Sequence, residues 1–231
     1  MKSIFPVLVP TLALLMLAAC GKEASPDPAP VATAASAAEA APQGPEVRIL
    51  ALGDSLFTGY GLAPGQSYPA KLEVALRAKG INARVANAGV SGETTAGGLQ
   101  RLDFTLDGQA SPPALVLISL GGNDMLRGVS PQQTRDNLDA LLGKLKQRKI
   151  PVLLLGMLSA PNLGADYRAQ FDPIYPALAR KHGAALVPFF LQSLQGRPEL
   201  IQADRIHPTE QGIDLLVDST LTAVEQALPP S

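Results

Sequence analysis

Four short polar segments of the sequence contain the residue types that nucleophilic catalysis requires. They are Gly53-Asp54-Ser55-Leu56, Asn87-Ala88-Gly89-Val90-Ser91-Gly92, Gly121-Gly122-Asn123-Asp124 and Asp204-Arg205-Ile206-His207-Pro208. A serine hydroxyl is a poor nucleophile until a neighbouring base removes its proton, and histidine is the most common base. The chain has only 2 histidines, so few pairings of base and nucleophile are available.

The two histidines have different sequence surroundings. His182 ends a helical pattern, where a positive side chain suits the helix dipole, and we interpret it as structural. His207 follows Asp204 by three residues in a loop, a spacing that lets the carboxylate accept Nδ1–H while Nε2 faces a serine. We therefore predict that Ser55, Asp204 and His207 form a catalytic triad. The alternatives are a helix N-cap for Ser55 and a capped turn for the other two residues.

Secondary structure predicted from the sequence places the first three polar segments directly after strands. Continuous apolar runs predict strands, and apolar residues at helical spacing predict helices between them. Strands that alternate with helices favour a three-layer α/β/α architecture with a mainly parallel sheet of five strands, and active sites in such sheets lie at the carboxyl ends of the strands. The predicted strands are 47–53, 83–87, 114–120, 152–158 and 185–188, and the predicted helices are 68–79, 167–182 and 209–227. A further helix is predicted after Ser130-Pro131, with Leu138, Leu141, Leu142 and Leu145 at helical spacing on its core face.

Taken together, the four segments resemble the conserved blocks of the GDSL or SGNH hydrolase family, over about residues 47–228. Residues 87–94, 120–128 and 206–208 more narrowly resemble the branch of periplasmic acyl thioesterases and lysophospholipases. The resemblance implies a flavodoxin-like SGNH fold. It also implies hydrolysis of carboxylic esters and thioesters through an acyl-enzyme on Ser55, with no cofactor and no metal.

The same resemblance implies an oxyanion hole formed by the N–H of Ser55, the N–H of Gly89 and the side-chain amide of Asn123. A glycine lacks a Cβ, so substrate can approach its backbone closely. The alternative for Asn123 is an Asx-turn in a glycine-rich loop. We interpret Asp54 and Asp124, in the same segments, as hydrogen-bond acceptors that organise loops.

The sequence does not identify the substrate. The resemblance favours lysophospholipids, aryl esters or acyl thioesters, and the apolar residues Met125, Leu126, Leu158 and Leu163 either line an acyl groove or belong to the core. A carbohydrate or cell-wall O-deacetylase is an alternative, although sugar sites use aromatic platforms and the chain has no Trp. A non-catalytic lipid-binding lipoprotein is a further alternative, but it would be expected to have lost a catalytic segment and none is lost.

The amino-terminal segment is predicted to serve export and anchoring. Residues 1–19 have the charged start and short apolar run of a signal peptide. Cys20, the only cysteine, follows Leu17-Ala18-Ala19 and resembles the lipidated cysteine of a bacterial lipobox. Residues 20–45 are rich in Ala and Pro and predict a disordered tether, which leaves 46–231 as the hydrolase domain. We expect a periplasmic location with a lipid anchor, at the outer membrane rather than the inner one.

Charge and composition exclude other classes of protein. The formal net charge of −1, without a basic stripe, argues against a nucleic-acid partner. Neither histidine has a second histidine or a cysteine at metal-ligand spacing, and no glycine-rich nucleotide loop follows a strand. The expected partners are a small acyl substrate and, through the lipid, a membrane. The oligomeric state is not determined by the sequence.

Overall fold

The computed structural model describes residue 42 and residues 44–230, all within one compact unit, Glu39–Ser231. The predicted signal peptide, Cys20 and most of the predicted tether lie outside the described residues. The elements are β1 (Val47–Gly53), α1 (Ser55–Thr58), α2 (Tyr68–Ala78), β2 (Ala83–Gly89), α3 (Thr95–Asp107), β3 (Leu115–Ser119), α4 (Gly122–Leu126), α5 (Pro131–Gln147), β4 (Val152–Leu155), α6 (Ala165–Phe171), α7 (Ile174–His182), β5 (Ala185–Val187) and α8 (Glu210–Ala227).

The five strands form one parallel sheet in the order β2-β1-β3-β4-β5, as the alternation of strands and helices predicted. At the end of β1, Gly53 is aligned with Gly89 of β2 on one side and with Ser119 of β3 on the other. The strands β1, β2 and β3 therefore end at one level. Their following loops, which contain three of the four polar segments, leave the sheet beside one another.

The helices form two packed groups, α2 with α8 and α3 with α5 and α7. The stripe predicted for α5, formed by Leu138, Leu141, Leu142 and Leu145, is buried. No helix among residues 44–230 is both long and apolar enough to cross a membrane.

An aromatic cluster in the core supports the short helix α1. Phe57 of α1 stacks on Tyr68 with ring centroids 5.5 Å apart, and Phe190 meets both rings edge-on. All three rings are buried, and the Tyr68 hydroxyl lies 2.7 Å from Thr220 Oγ1 of α8. A four-residue helix has little stability of its own. Its orientation is therefore set by the burial of Phe57.

Several elements differ from the sequence-based expectation, and the short helices α1 and α4 are among those that were not predicted. Helix α3 was not predicted, because glycines at 97 and 98 weaken its helical propensity. Tertiary packing explains Gly98, since a Cβ on this residue would overlap the side chain of Leu120. The helix predicted over 167–182 is interrupted at Pro173, which separates α6 from α7 because proline cannot donate a backbone hydrogen bond. Strand β4 ends at Leu155 rather than at residue 158.

Candidate active site

The turn between β1 and α1 presents Ser55 at the carboxyl edge of the sheet. Asp54 caps α1, its Oδ1 accepting the N–H of Leu56 at 3.0 Å. Gly53 is required at the end of the strand, because a Cβ there would lie 2.5 Å from the ring of Phe57. Ser55 is therefore the first residue of a helix, and its hydroxyl faces a cavity.

Ser55, His207 and Asp204 form one continuous hydrogen-bonded chain. His207 Nε2 lies 2.8 Å from Ser55 Oγ, and His207 Nδ1 lies 2.6 Å from Asp204 Oδ2. The serine and the histidine are 152 positions apart in the sequence, and the fold brings the loop before α8, which contains His207, against the turn after β1. With the Nδ1–H tautomer, the imidazole donates to Asp204 and accepts the serine proton.

The turn that contains Asp204 aims the imidazole. Asp204 Oδ1 accepts the backbone N–H groups of Ile206 at 2.9 Å and His207 at 3.0 Å, while Arg205 adopts a left-handed φ of 62°. Hydrogen bonds from the His207 backbone, the His207 ring and the Ile206 backbone lower the pKa of Asp204 to about 2. The carboxylate is therefore ionised at neutral pH and stabilises a protonated imidazole. The capped turn considered as an alternative is present, and it orients His207.

Two residues that the sequence analysis did not select support His207. The ring of Tyr60 stacks on the imidazole with centroids 4.4 Å apart. Gln202 Nε2 donates to the carbonyl oxygens of Tyr60 and Pro208, each at 2.8 Å, and thus joins the loop after α1 to the histidine loop. The only sequence signal for Tyr60 is an aromatic residue five positions after the nucleophile. Gln202 has no comparable signal.

Asn123 lies in α4 and faces the same cavity as Ser55. Its Nδ2 donates to Asp54 Oδ2 at 3.1 Å, which connects the loop after β3 to the loop after β1. An amide NH₂ has two hydrogens, so one remains for another acceptor. Asn123 is therefore able to donate to an oxygen bound beside Ser55.

Gly89 does not take the position predicted for it. Its N–H donates to Asn87 Oδ1 at 2.9 Å, and a Cβ on it would lie 2.7 Å from the backbone nitrogen of Thr58. The glycine allows β2 to pack closely against α1, and it is not among the residues lining the cavity. Gly92, three residues later with a left-handed φ of 77°, lines the cavity with Ser55. The prediction of Gly89 as an oxyanion donor is wrong, and Gly92 is the glycine of this segment that faces the cavity.

The cavity has a volume of about 430 Å³, and its walls are mostly apolar. Of the four residues considered for an acyl groove, Met125 and Leu126 line it, whereas Leu158 and Leu163 do not. The other apolar lining residues are Leu56, Tyr60, Met157, Leu191 and Ile206. The serine hydroxyl thus opens onto a space suited to an apolar group.

Asp124 and His182, the other two residues considered from the sequence, make contacts that connect elements of the fold. Asp124 is buried and accepts the N–H of Thr95 at 2.8 Å, which joins α4 to the start of α3, as expected for an acceptor that organises loops. His182 Nε2 lies 2.6 Å from Asp139 Oδ1 at the end of α7, where the strands begin rather than end. Within the described part of the chain, no cluster of three or more His, Cys, Asp or Glu is arranged to hold a metal.

A serine, histidine and aspartate in one hydrogen-bonded chain, beside an apolar cavity at the carboxyl edge of a parallel sheet, define a serine ester hydrolase. The chain belongs to the GDSL-like Lipase/Acylhydrolase family, whose model matches residues 51–215.

Similar proteins agree with this membership. Esterase TesA of Pseudomonas aeruginosa is 44% identical over 160 residues, which cover 69% of this chain and 79% of that protein. Thioesterase 1/protease 1/lysophospholipase L1 of Escherichia coli is 37% identical over 170 residues, covering 74% and 79% respectively. The crystal structure of AlinE4, an SGNH-hydrolase family esterase, superimposes with a TM-score of 0.69 at 58% identity, covering 81% of this chain and all of that one.

Proposed function

We propose that this chain hydrolyses esters and thioesters of fatty acids through an acyl-enzyme on Ser55. The observation that carries the proposal is the hydrogen-bonded chain from Asp204 through His207 to Ser55, which ends at an apolar cavity. The names of the similar proteins, esterase, arylesterase and thioesterase/lysophospholipase, support the same substrate classes.

In the proposed acylation step, Ser55 Oγ attacks the substrate carbonyl as His207 Nε2 takes the hydroxyl proton. The negative charge of Asp204 stabilises the imidazolium. His207 then donates the proton to the departing alcohol or thiol, and the acyl group remains bonded to Ser55. In deacylation, His207 removes a proton from water, the water attacks the acyl carbon, and Ser55 regains its proton as the carboxylic acid leaves.

Each attack places negative charge on the former carbonyl oxygen. The proposed donors to that oxygen are the N–H groups of Ser55 and Gly92 and the side-chain amide of Asn123, all three of which line the cavity. Gly92 replaces Gly89 in this set. Removing one such donor typically costs about 3–4 kcal/mol of transition-state stabilisation.

The proposal is tested by the rate of p-nitrophenyl butyrate hydrolysis by the wild type and by Ser55→Ala. The variant is expected to lose turnover while its thermal unfolding is unchanged, because Ser55 is partly exposed and its side chain supports no core packing. Retained turnover in Ser55→Ala would exclude the acyl-enzyme. A series of acyl lengths, each as aryl ester, thioester and lysophospholipid, then identifies the preferred substrate.

The proposed location is the periplasmic side of the bacterial envelope, with the chain held at the outer membrane by a lipid on Cys20. The support is the sequence alone: the charged start, the apolar run and Leu17-Ala18-Ala19-Cys20-Gly21. Lipids on the cysteine that provide two or more acyl chains give stable membrane binding. Cys20→Ser is expected to move the protein from the membrane fraction to the soluble fraction, with Ser55→Ala, which keeps Cys20, as the matched control. Unchanged partitioning of Cys20→Ser would rule out the anchor.

A further inference from the structure

Asp54 is a buried carboxylate that the triad does not use. Only 2% of it is exposed, and its two oxygens bind two different parts of the site. Oδ1 accepts the N–H of Leu56, which fixes the turn that presents Ser55. Oδ2 accepts the Asn123 amide. A helix N-cap needs only the first of these contacts, and an uncharged serine or asparagine makes that contact equally well.

We propose that Asp54 is a positioning residue for catalysis: its carboxylate holds the Asn123 amide with an N–H directed at the carbonyl oxygen of the substrate. The inference rests on the proposed role of Asn123 as an oxyanion donor. An asparagine side chain has nearly the same shape when its oxygen and nitrogen exchange places, so packing alone does not select the orientation. An ionised carboxylate accepts hydrogen bonds only. It therefore selects the orientation in which NH₂ faces Asp54, and the second N–H of that group is left for the cavity.

The same contact makes the orientation depend on proton binding. Burial raises the pKa of Asp54 from 3.8 to about 6, against the lowering effects of the hydrogen bonds from Leu56 and Asn123 and of the charge on His207. Once protonated, Asp54 is a hydroxyl donor toward Asn123, which favours the exchanged orientation. The Asn123 oxygen then faces the cavity and repels the developing negative charge.

Of the titratable groups packed around Asp54, none but Asp54 itself controls the orientation of the Asn123 amide by binding a proton. Tyr175 of α7 stays neutral, because burial raises the pKa of its hydroxyl well above the usual value. The carboxylate of Asp124, on the same helix as Asn123, is bonded to Thr95 rather than to Asn123. The remaining group is His207, whose ring nitrogens contact Asp204 and Ser55 rather than Asp54. We therefore expect protonation of Asp54 to lower the activity of the free enzyme as the pH falls through the pKa of this carboxyl group.

The first experiment is a double-mutant cycle on kcat. Asn123→Ala is expected to lower kcat by about 10²- to 10³-fold. Asp54→Asn keeps the cap through its side-chain oxygen and turns an NH₂ toward Asn123, so it favours the exchanged orientation at every pH and is expected to lower kcat about tenfold or more. In the Asn123→Ala background, Asp54→Asn is expected to add no further loss, because its effect is transmitted through the missing amide. Losses that multiply would overturn the inference.

The second experiment is the pH profile of kcat/KM, which reports the groups of the free enzyme. Below about pH 6 the activity of the wild type is expected to fall more steeply, by one proton, than that of Asp54→Asn, because the variant has no carboxyl group to protonate at position 54. Asp124→Asn, which replaces a matched buried carboxylate without the contact to Asn123, is expected to keep the steepness of the wild type. An equally steep loss of activity at low pH in the wild type and in Asp54→Asn contradicts the inference.

Two controls separate this inference from others. If Asp54→Asn unfolds, Asp54→Ser is used in its place, since a serine hydroxyl also caps α1. Activity retained in Ser55→Ala would refute the proposed function itself. An inactive Ser55→Ala together with multiplying losses in the cycle refutes only the positioning role of Asp54.

Discussion

Replacing Asp204 with asparagine tests how the triad orients its histidine. In the native turn, Asp204 Oδ1 accepts two backbone N–H groups, from Ile206 and His207, and Oδ2 accepts the imidazole Nδ1–H. An asparagine must keep its single oxygen at the two backbone donors, because the opposite orientation would place NH₂ against both of them. Its NH₂ then faces Nδ1, which forces the proton onto Nε2. A protonated Nε2 cannot accept the proton of Ser55.

The expected cost is large, because the imidazole is locked in the wrong tautomer and also loses its stabilising charge. The same aspartate-to-asparagine change in a serine protease triad lowers kcat by about 10⁴-fold. The structure predicts a loss of that order here, with KM changed little, because Asp204 does not line the cavity. The assay is steady-state hydrolysis of p-nitrophenyl butyrate, with thermal unfolding as the folding control. A kcat within tenfold of the wild type would remove Asp204 from the mechanism.

Three further predictions concern residues around the site and the fold. Gly89→Ala is expected to destabilise the fold by about 1–3 kcal/mol, measured by urea unfolding, because its Cβ would meet the backbone of Thr58; unchanged stability would contradict the close packing. Lys149, with φ of 57° just after the end of α5, occupies a position that favours glycine. Lys149→Gly should therefore raise the free energy of unfolding by about 1 kcal/mol and increase Tm, and a lowered Tm would contradict that reasoning. The pKa of Asp54 is about 6 in the folded state, against 3.8 for an ordinary aspartate. Between these two pH values the folded state therefore binds more protons than the unfolded state, and the free energy of unfolding falls as the pH rises. Asp54→Asn should remove a penalty of the order of 3 kcal/mol at pH 8, and equal wild-type and variant stabilities in urea unfolding at pH 8 would argue against it.

The pairing of Ser55 with His207 was predictable because the chain has few histidines that could act as the base. With 2 histidines in the chain, one at a helix end and one beside an aspartate, only one pairing suited catalysis. The strands were also predictable, because a sheet covered on both faces requires continuous apolar runs. Helix α3 was not predictable in this way, because the need for glycine at position 98 is explained only by its packing against Leu120, which follows in the next strand segment.

The choice between the two glycines of the second segment required the structure. Gly89 and Gly92 are three residues apart, and either could allow substrate to approach the backbone. The difference is that β2 continues to Gly89, so this residue packs against α1, whereas the chain has turned toward the cavity by Gly92. Where a strand ends is set by pairing with its neighbours, and local sequence does not encode that pairing.

The sequence by itself determined the class of chemistry, because a serine, a histidine and an aspartate in the right segments leave few other uses for those residues. It also determined the parallel sheet, because apolar runs and helical periodicity follow from local physical rules. Only the tertiary structure decided which glycine of the second segment lines the cavity and that one buried carboxylate, Asp54, connects the nucleophile turn to Asn123 across 69 positions. The physical reason is that hydrogen bonds act over about 3 Å and depend on direction, so residues distant in the sequence become partners only once the sheet has brought its loops together.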